Sequence, residues 1–582
     1  MSADGSIEMF CITWSVFALT LASLCPTAQA QVGKANQIFI NRGLQLQGLV
    51  QYNDFFHLGT YQAANYTSIN WGWTSAPNLT GPAPGFPWSR WVSAQTNMPP
   101  QNGEASYMSQ LVMLQLADEL NLNDDTTRTG LVNWFNAVET NFPNTILYAN
   151  NYGGQVSDAA LGDFIARAHP DMISFDLYPF KSDYGTGTPL GGPPTSFYSE
   201  LRRYRAWGLG ANIPFAAYMQ TFHAVESYDS IIYRDPSPSE LRLNTSAALA
   251  FNAKTLIGFT YNSGATSLFS IAPNGYSGDS QTNALYAEQS DANRRAINLG
   301  KALVCLKPVP EMHNPNDANP PPGPASGNVN FPDGTTTSIL ILKGCPGSTN
   351  PAYPPTPEPI TFVDDPPLPN SASWWESGKN DPYFRGWVVT NLGTNNGGLP
   401  GQVIISWFRP LDESFDGPAY SNEVYIMVVN ALTATNGTAA DCAQEIRLNF
   451  AFSNGITAVN MLDPETGNVT TNTLPVVSGR NQLVLNLNGG DAALFKFADG
   501  APFVGCVTPQ KAKLGLEMPG GKPAINIQGS IGARYQIQST TSLGAANWNV
   551  VSNVLLPSSP YVFTDGSYSG SVAMFYRVVG IP

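Results

Sequence analysis

The segment LADELNLND places two carboxyl groups side by side, Asp118 and Glu119, directly after the apolar run LVMLQLA. A carboxylate taken out of water without a partner is costly, so an acidic pair closing an apolar segment asks for a role. A half-buried glutamic acid with a raised pKa can deliver a proton at neutral pH. Asp176 closes a second such segment, SFDLYPF, with Tyr178 beside it, and Tyr218 and Gln220 close a third, AAYMQTF. Hydrolysis of a glycosidic bond uses two carboxyl groups flanking it, about 5 to 5.5 Å apart for retention and further apart for inversion. Glu119 is read as the first, Asp176 as the second, and Asp118 as a like charge that raises the pKa of Glu119. The plain alternative, given equal weight for a lone acidic strand end, is that Asp118 or Glu119 only caps the next helix or pairs with Arg128.

The surroundings favour chemistry. Trp71, Trp73, Trp88, Trp91, Tyr148, Tyr152, Tyr178 and Tyr261 fall at or just after the same kind of segment end, where flat rings can stack on sugar rings, although core packing accounts for several. Asn150, Asn151 and Asn262 add uncharged hydrogen-bonding groups suited to hydroxyls. A neutral, polyhydroxylated substrate fits such a lining.

These ends need elements to hold them. Between residues 40 and 305, apolar strands alternate with helical patterns, the signature of a parallel sheet wrapped by helices. Seven strands are expected: Leu44 to Val50, Thr67 to Trp73, Leu111 to Glu119, Thr145 to Asn151, Met172 to Phe180, Ile213 to Phe222 and Thr255 to Asn262. An eighth is irregular or hidden. Helices are expected at Leu131 to Asn141 and Phe197 to Trp207, and Ser237-Pro238-Ser239-Glu240 spells an N-cap, a first-turn proline and a capping-box glutamate before Leu241 to Ala253. LVMLQLA and MISF are apolar throughout, as when both faces of a parallel sheet are covered. In a (β/α)8 barrel, catalytic groups sit where strands end.

At 582 residues the chain is too long for one core. The division expected is a signal peptide over 1–30, a (β/α)8 TIM barrel over 31–305, a proline-rich connection with an antiparallel β-sandwich over 306–510, and a small all-β module over 511–582. The connection is marked by KPVPEMHNPNDANPPPGPASG and PAYPPTPEPITFVDDPPLP, the sandwich by runs such as GWVVTN, QVIISWF, EVYIMVVN, EIRLNFAF and NQLVLNL, and the last module by RYQIQSTTSL, NWNVV, YVFTD and FYRVV.

The leader reading rests on an apolar stretch from Phe10 to Leu24 followed by Ala28-Gln29-Ala30, a small-x-small cleavage pattern, although no Lys or Arg precedes it. It places the protein outside the cytoplasm, extracellular or periplasmic. No later segment reaches the roughly 20 apolar residues of a membrane span. Charged residues make up only 12% of the chain, and its net charge of −14 comes with no Lys/Arg run, which argues against nucleic acid as a partner. Export permits disulfides among Cys305, Cys345, Cys442 and Cys506. Pairing Cys305 with Cys345 and Cys442 with Cys506 keeps each bridge local, but three connectivities are open. Without CxxC spacing, and with His57, His169, His223 and His313 scattered singly, neither a zinc site nor a cofactor is expected. A protease or esterase is set aside, since the chain lacks a GxSxG elbow.

LQLADELNLND, NTILYANNYGG, DMISFDLYPF, IPFAAYMQTF and TLIGFTYNSG, in that order, resemble the barrel of glycoside hydrolases related to β-galactosidases and cellulases. The resemblance covers residues 35–305. It implies an acid/base glutamate ending the fourth strand, which is Glu119 if one N-terminal strand is added to the count, and a nucleophilic glutamate ending the seventh. Gln220 stands at that second place, and Asp118 stands where the family usually has Asn. The second carboxylate is therefore Asp176, or Glu226 from the following loop, or it is lost and the barrel only binds glycans. The trailing β regions more weakly resemble modules of secreted glycosidases and bacterial proteins, with cell-surface or polysaccharide attachment open. The expectation is a secreted hydrolase of a poly- or oligosaccharide, with Trp71, Trp73, Asn150, Asn151, Tyr178, Tyr218, Gln220 and Tyr261 contacting carbohydrate. The alternative is a non-catalytic glycan-binding or adhesion protein on a degenerate barrel.

Overall fold

The computed structural model describes residues 32–581 other than 53–55, 73–75, 77–85, 193, 228–229, 264–266, 272–276, 309, 312–335, 338, 343–383, 412–422, 451, 453–454, 478, 543–547, 557, 567 and 569–573. The stretch read as a leader, Trp73, Cys345 and most of the proline-rich connection lie outside them.

Eight parallel strands close into a barrel: β1 (Gln45–Val50), β2 (Ile69–Trp71), β3 (Trp88–Trp91), β4 (Leu111–Asp118), β5 (Ile146–Tyr152), β6 (Ile173–Asp176), β7 (Phe215–Gln220) and β8 (Thr255–Asn262). Each pairs with the next, and β8 returns to β1 through Gln45↔Thr255 and its neighbours. The hidden strand is β3. Its four residues, WSRW, carry an arginine, so it has no apolar run to betray it. Arg90 is fully buried because Glu104 meets it there, with Nε 2.9 Å from Oε1. With β3 in place, the Asp118–Glu119 strand is the fourth and the Gln220 strand the seventh.

Helices wrap the barrel: α1 (Lys34–Arg42), α2 (Leu58–Ala63), α3 (Asp125–Val138), α4 (Asp158–Ala168), α5 (Thr195–Ala211), α6 (Pro238–Ala250) and α7 (Ala284–Leu303). The expected capping box forms at α6, where Ser237 Oγ accepts from Glu240 N and Ser237 N donates to Glu240 Oε2 at 2.9 Å. This satisfies two amides that would otherwise be orphaned at the helix start.

Beyond the barrel, a seven-stranded antiparallel sheet built around Val403–Pro410, Tyr425–Asn430 and Ala492–Phe497 faces a four-stranded sheet containing Phe384–Asn391, Gln444–Phe450 and Arg480–Leu487. The larger sheet is covered on both sides. Ile405, Trp407 and Val428 enter the sandwich core, whereas Ile404, Phe408 and Val429 join the core of the barrel and its helices. This explains why VIISWF reads as a continuous apolar run rather than an alternation. Arg242 on α6 fastens the seam, with Nη1 2.9 Å from Asp491 Oδ1 and Nε 3.1 Å from Glu288 Oε2.

Two three-stranded antiparallel sheets follow, one containing Lys513–Glu517 and Ala524–Gln528, the other Arg534–Thr540 and Phe575–Ile581. Arg534 donates to the carbonyls of Ile40 and, at 3.1 Å, Lys301, and Asn553 donates to the carbonyl of Asn41 at 3.2 Å. Among the described residues no helix is long and apolar enough to cross a membrane.

The bridge expected between Cys442 and Cys506 is not formed, and both carry free thiols. Cys442 packs at the seam, its Sγ 4.0 Å from Ser239 Oγ. Cys506 instead lies near Cys305, and burial followed by that neighbour pushes its thiol up to about 12. The pairing of Cys305 with Cys345 falls partly outside the described residues.

Candidate active site

The strand ends converge on an open cleft of about 550 Å³ at the C-terminal mouth of the barrel. Asp118, Glu119, Asp176 and Glu226 supply carboxyl groups to its lining, and Gln51, Gln115, Asn150 and Gln155 supply amides. Trp91, Tyr152, Tyr178, Tyr218, Phe222, Tyr233 and Phe259 supply rings. No Lys, Arg or His lines it among the described residues.

One amide chain organises the acids. Asn150 Nδ2 donates to Asp118 Oδ1 at 3.1 Å and to Asp176 Oδ1 at 2.9 Å, while Ser174 Oγ donates to Asn150 Oδ1 at 3.1 Å. Gln115 Nε2 donates to Asp118 Oδ1 at 2.9 Å, and Gln115 Oε1 accepts from Tyr218 Oη at 2.6 Å and Tyr148 Oη at 3.2 Å. The orientation of each amide is thereby set: its NH2 faces carboxylates and its oxygen faces hydroxyls.

Glu119 sits one residue beyond β4 with φ +49°. Its amide donates to Asn150 O at 3.0 Å, so the turn off the strand is pinned to β5 and the side chain is aimed into the cleft. A glutamate in the left-handed region carries strain of a kind that collects at functional sites. Asp176 is 3% exposed. Burial pushes its carboxyl well above the usual range, reinforced by the charge of Glu119 and a hydrogen bond with the Glu119 side chain. Asp176 and Glu119 are thus coupled, and the carboxyl that keeps its proton to higher pH is Asp176. Asp118 is also raised, by desolvation within the cleft first and the Glu119 charge second, against the hydrogen bonds from Asn150 and Gln115.

The alternative roles for the acidic pair fall to other residues. Asp124 caps α3 by accepting from Thr127 N at 2.8 Å, and Arg128 pairs with Asp125 and Asp163 at 2.7 and 2.6 Å.

Three expected contact residues line the cleft with the acids: Asn150, Tyr178 and Tyr218. Trp71, Asn151, Tyr261 and Gln220 sit elsewhere. Asn151 alternates outward from Asn150, is buried, and donates to Ser174 O at 3.2 Å. Trp71 and Tyr261 are fully buried in an aromatic cluster with Phe56, at ring separations of 5.1 and 6.1 Å. Asn262 fastens the chain after β1, its Oδ1 accepting from Gln51 N at 3.0 Å.

Gln220 is fully buried and spent on backbone. Its Oε1 accepts from Phe180 N and its Nε2 donates to the carbonyls of Phe180 and Arg234, all at 2.9 Å. Phe180 and Arg234 flank a small antiparallel sheet of Lys181–Ser182, Ile231–Tyr233 and Ala224–Glu226. Gln220 therefore clamps the root of the sheet that carries Glu226 and Tyr233 into the cleft.

No family model matches the chain, and no curated protein matches it. Solved structures do match. An endoxylanase of glycoside hydrolase family 30 from Clostridium papyrosolvens is 11% identical over 78% of this chain and 96% of its own, with a TM-score of 0.32. A family 27 β-L-arabinopyranosidase from Geobacillus stearothermophilus is 7% identical over 81% of this chain and 99% of its own, with a TM-score of 0.36. A xylanase and α-amylase inhibitor protein is 11% identical over 37% of this chain and 93% of its own, with a TM-score of 0.23. Similarity this low adds nothing to the barrel that the strand pairing already establishes.

Several lining residues escaped sequence reasoning. Gln115 lies in the middle of β4, three residues before its acidic end, and its only sequence signal is a lone polar residue inside an apolar run. Phe222, Tyr233 and Phe259 line the cleft beside Tyr178, with which all three rings pack at 4.9 to 5.9 Å.

Proposed function

We propose that this protein hydrolyses glycosidic bonds of a neutral poly- or oligosaccharide, with Glu119 as general acid. One observation carries the reading: the buried, raised carboxyl of Asp176 is coupled to Glu119 in a cleft whose remaining lining is mostly rings and amides, with Asp118 and Glu226 beside them. Asp176 holds its proton at a pH where an isolated carboxyl would have lost it, and through Glu119 that proton can reach a leaving-group oxygen. The rings offer stacking faces to sugar, and the amides offer donors and acceptors to hydroxyls.

Two carboxyl groups in contact stand closer than the 5 Å or so that flanks a glycosidic bond. We therefore assign Asp176 to storing the proton that Glu119 delivers. The carboxylate that attacks the sugar or activates water is Glu226, presented by the sheet between β7 and α6. The leader read at 1–30 supports export, where polymers of this kind are met.

The test is release of reducing sugar from a polysaccharide panel. The wild type should turn over at least one substrate, and Glu119→Gln should lower that rate by roughly 10²- to 10⁴-fold while leaving the fold intact. An unchanged rate in Glu119→Gln would sink the assignment. A second reading, glycan binding without turnover, is favoured by Gln220 standing where the resemblance implies a nucleophile. Saturable binding by a wild type that releases no sugar from any substrate would establish it instead.

A further inference from the structure

The sandwich holds a second reactive cluster, on strands that do not reach the cleft. Lys496, on Ala492–Phe497, lies opposite Tyr425 in the antiparallel ladder. Cross-strand partners share a face of the sheet, and Glu423, two residues before the strand that begins at Tyr425, reaches Lys496 from the lead-in to that strand. Its Oε1 is in direct contact with Lys496 Nζ, and the two side chains are only 1% and 0% exposed. Apart from Lys496, neither Glu423 oxygen has a hydrogen-bond partner among the described residues. Asp499 brings a second carboxylate to the same nitrogen, Oδ1 to Nζ 3.1 Å, and its side chain is 33% exposed. Lys496 Nζ also lies 3.0 Å from Ala501 O, with the Tyr425 ring centroid 5.7 Å away.

An ion pair enclosed so completely carries a heavy desolvation cost, which is recovered only when further hydrogen bonds satisfy the remaining oxygens. Glu423 lacks them. Proton transfer within the pair removes both charges and leaves a neutral amine against a neutral carboxylic acid, the two reactants of amide formation held at contact.

We propose that Lys496 and Glu423 become joined by an isopeptide bond, with Asp499 relaying the protons. Asp499 draws a proton from the Lys496 ammonium, and the freed nitrogen lone pair attacks Glu423 Cδ to form the N–C bond. The Cδ–Oε1 bond then breaks. The departing oxygen takes two of the three ammonium protons, passed on by Asp499, and leaves as water. An ammonium and a carboxylate thus become one neutral amide and one water, Asp499 ends unchanged, and no oxidant or reductant is consumed. The product covalently ties one strand to the segment leading into its neighbour and leaves no buried charge at Glu423 or Lys496.

Mass mapping of the purified full-length protein, denatured and digested, tests this. The peptides containing Lys496 and Glu423 should be recovered as one branched species, lighter than their sum by a single water, with fragment ions placing the link at those two side chains. Glu423→Ala should return only linear peptides, and Asp499→Asn should leave a fraction unlinked in freshly folded protein. The wild-type digest requires no variant to fold. Linear peptides in full yield from it would overturn the proposal and leave the pair as a buried salt bridge, and a fully linked Asp499→Asn would remove Asp499 from the step.

Discussion

Asn150 holds Asp176 at 2.9 Å with the same NH2 group that reaches Asp118. Those bonds favour the ionised carboxylates, yet burial and Glu119 outweigh them, and Asp176 stays raised. The folded chain therefore keeps this proton to a higher pH than the unfolded chain does. Between the ordinary aspartate pKa, about 4, and the raised folded value, the native state binds more protons, so stability falls as pH rises through that window. Asp176→Asn should flatten this decline in a series of melting temperatures against pH. The same titration removes the acid form of the pair, so hydrolysis should fade on the alkaline side. Asn150→Ala, which deletes the donor, should move that alkaline limb to higher pH, and an unmoved limb would uncouple Asn150 from the pair.

Glu119 carries its positive φ for the sake of where its carboxyl points. Glu119→Ala and Glu119→Gly both delete the carboxyl and should both lose hydrolysis. They differ in backbone tolerance. The left-handed region disfavours any Cβ by about 1 kcal/mol, so the glycine variant should be the more stable of the two by that amount in urea unfolding. The opposite order would mean that this turn relaxes without strain.

Gln220 invites the experiment of restoring a nucleophile, and the geometry argues that it fails. In Gln220→Glu, a carboxylate oxygen replaces the Nε2 that donates to Phe180 O and Arg234 O, leaving two carbonyls unpaired and facing negative charge. A loss of roughly 1 to 3 kcal/mol per orphaned group follows, together with loosening of the sheet that carries Glu226. Calorimetry should record a lower Tm with no gain in activity. A more active Gln220→Glu would show that this position faces substrate after all.

The Arg90–Glu104 pair is a buried cluster rather than a surface salt bridge. Glu104 also accepts from Ala76 N at 2.6 Å and Gln101 N at 2.7 Å, and Arg90 donates to Asn97 O at 2.7 Å. Glu104→Ala leaves an uncompensated guanidinium in the interior, at a cost of about 3 to 5 kcal/mol. The neighbouring Trp91 lines the cleft, so its fluorescence should report the disturbance before global unfolding.

Much of the barrel was legible because its strands are covered on both faces and its helices carry caps. LVMLQLA and the Ser237 box each announce one element with little ambiguity. WSRW was not legible, because a strand of four residues whose arginine is neutralised by a distant glutamate offers no local pattern. The acids were found by a simple rule, polar residues where apolar strands end. The rule overreached at Trp71, Asn151 and Tyr261, which meet it in sequence but turn into the packed layers. It also missed Gln115, which faces the cleft from within its strand. Which side of a strand a residue takes depends on register, and the bulge between Gln115 and Asp118 shifts that register just where the site forms. The resemblance implied a glutamate at Gln220, but no local pattern reveals that a side chain is spent on two carbonyls far along the chain.

Arg534 grips the carbonyls of Ile40 and Lys301, next to the end where β1 begins, whereas the acids gather where the strands finish. The last two sheets consequently stand behind the barrel. Substitutions at the two ends share no partners and should act additively. The mouth can be rebuilt for a different sugar without disturbing the back, and the back can be exchanged without retuning the acids, which leaves two halves of the molecule free to evolve at separate rates.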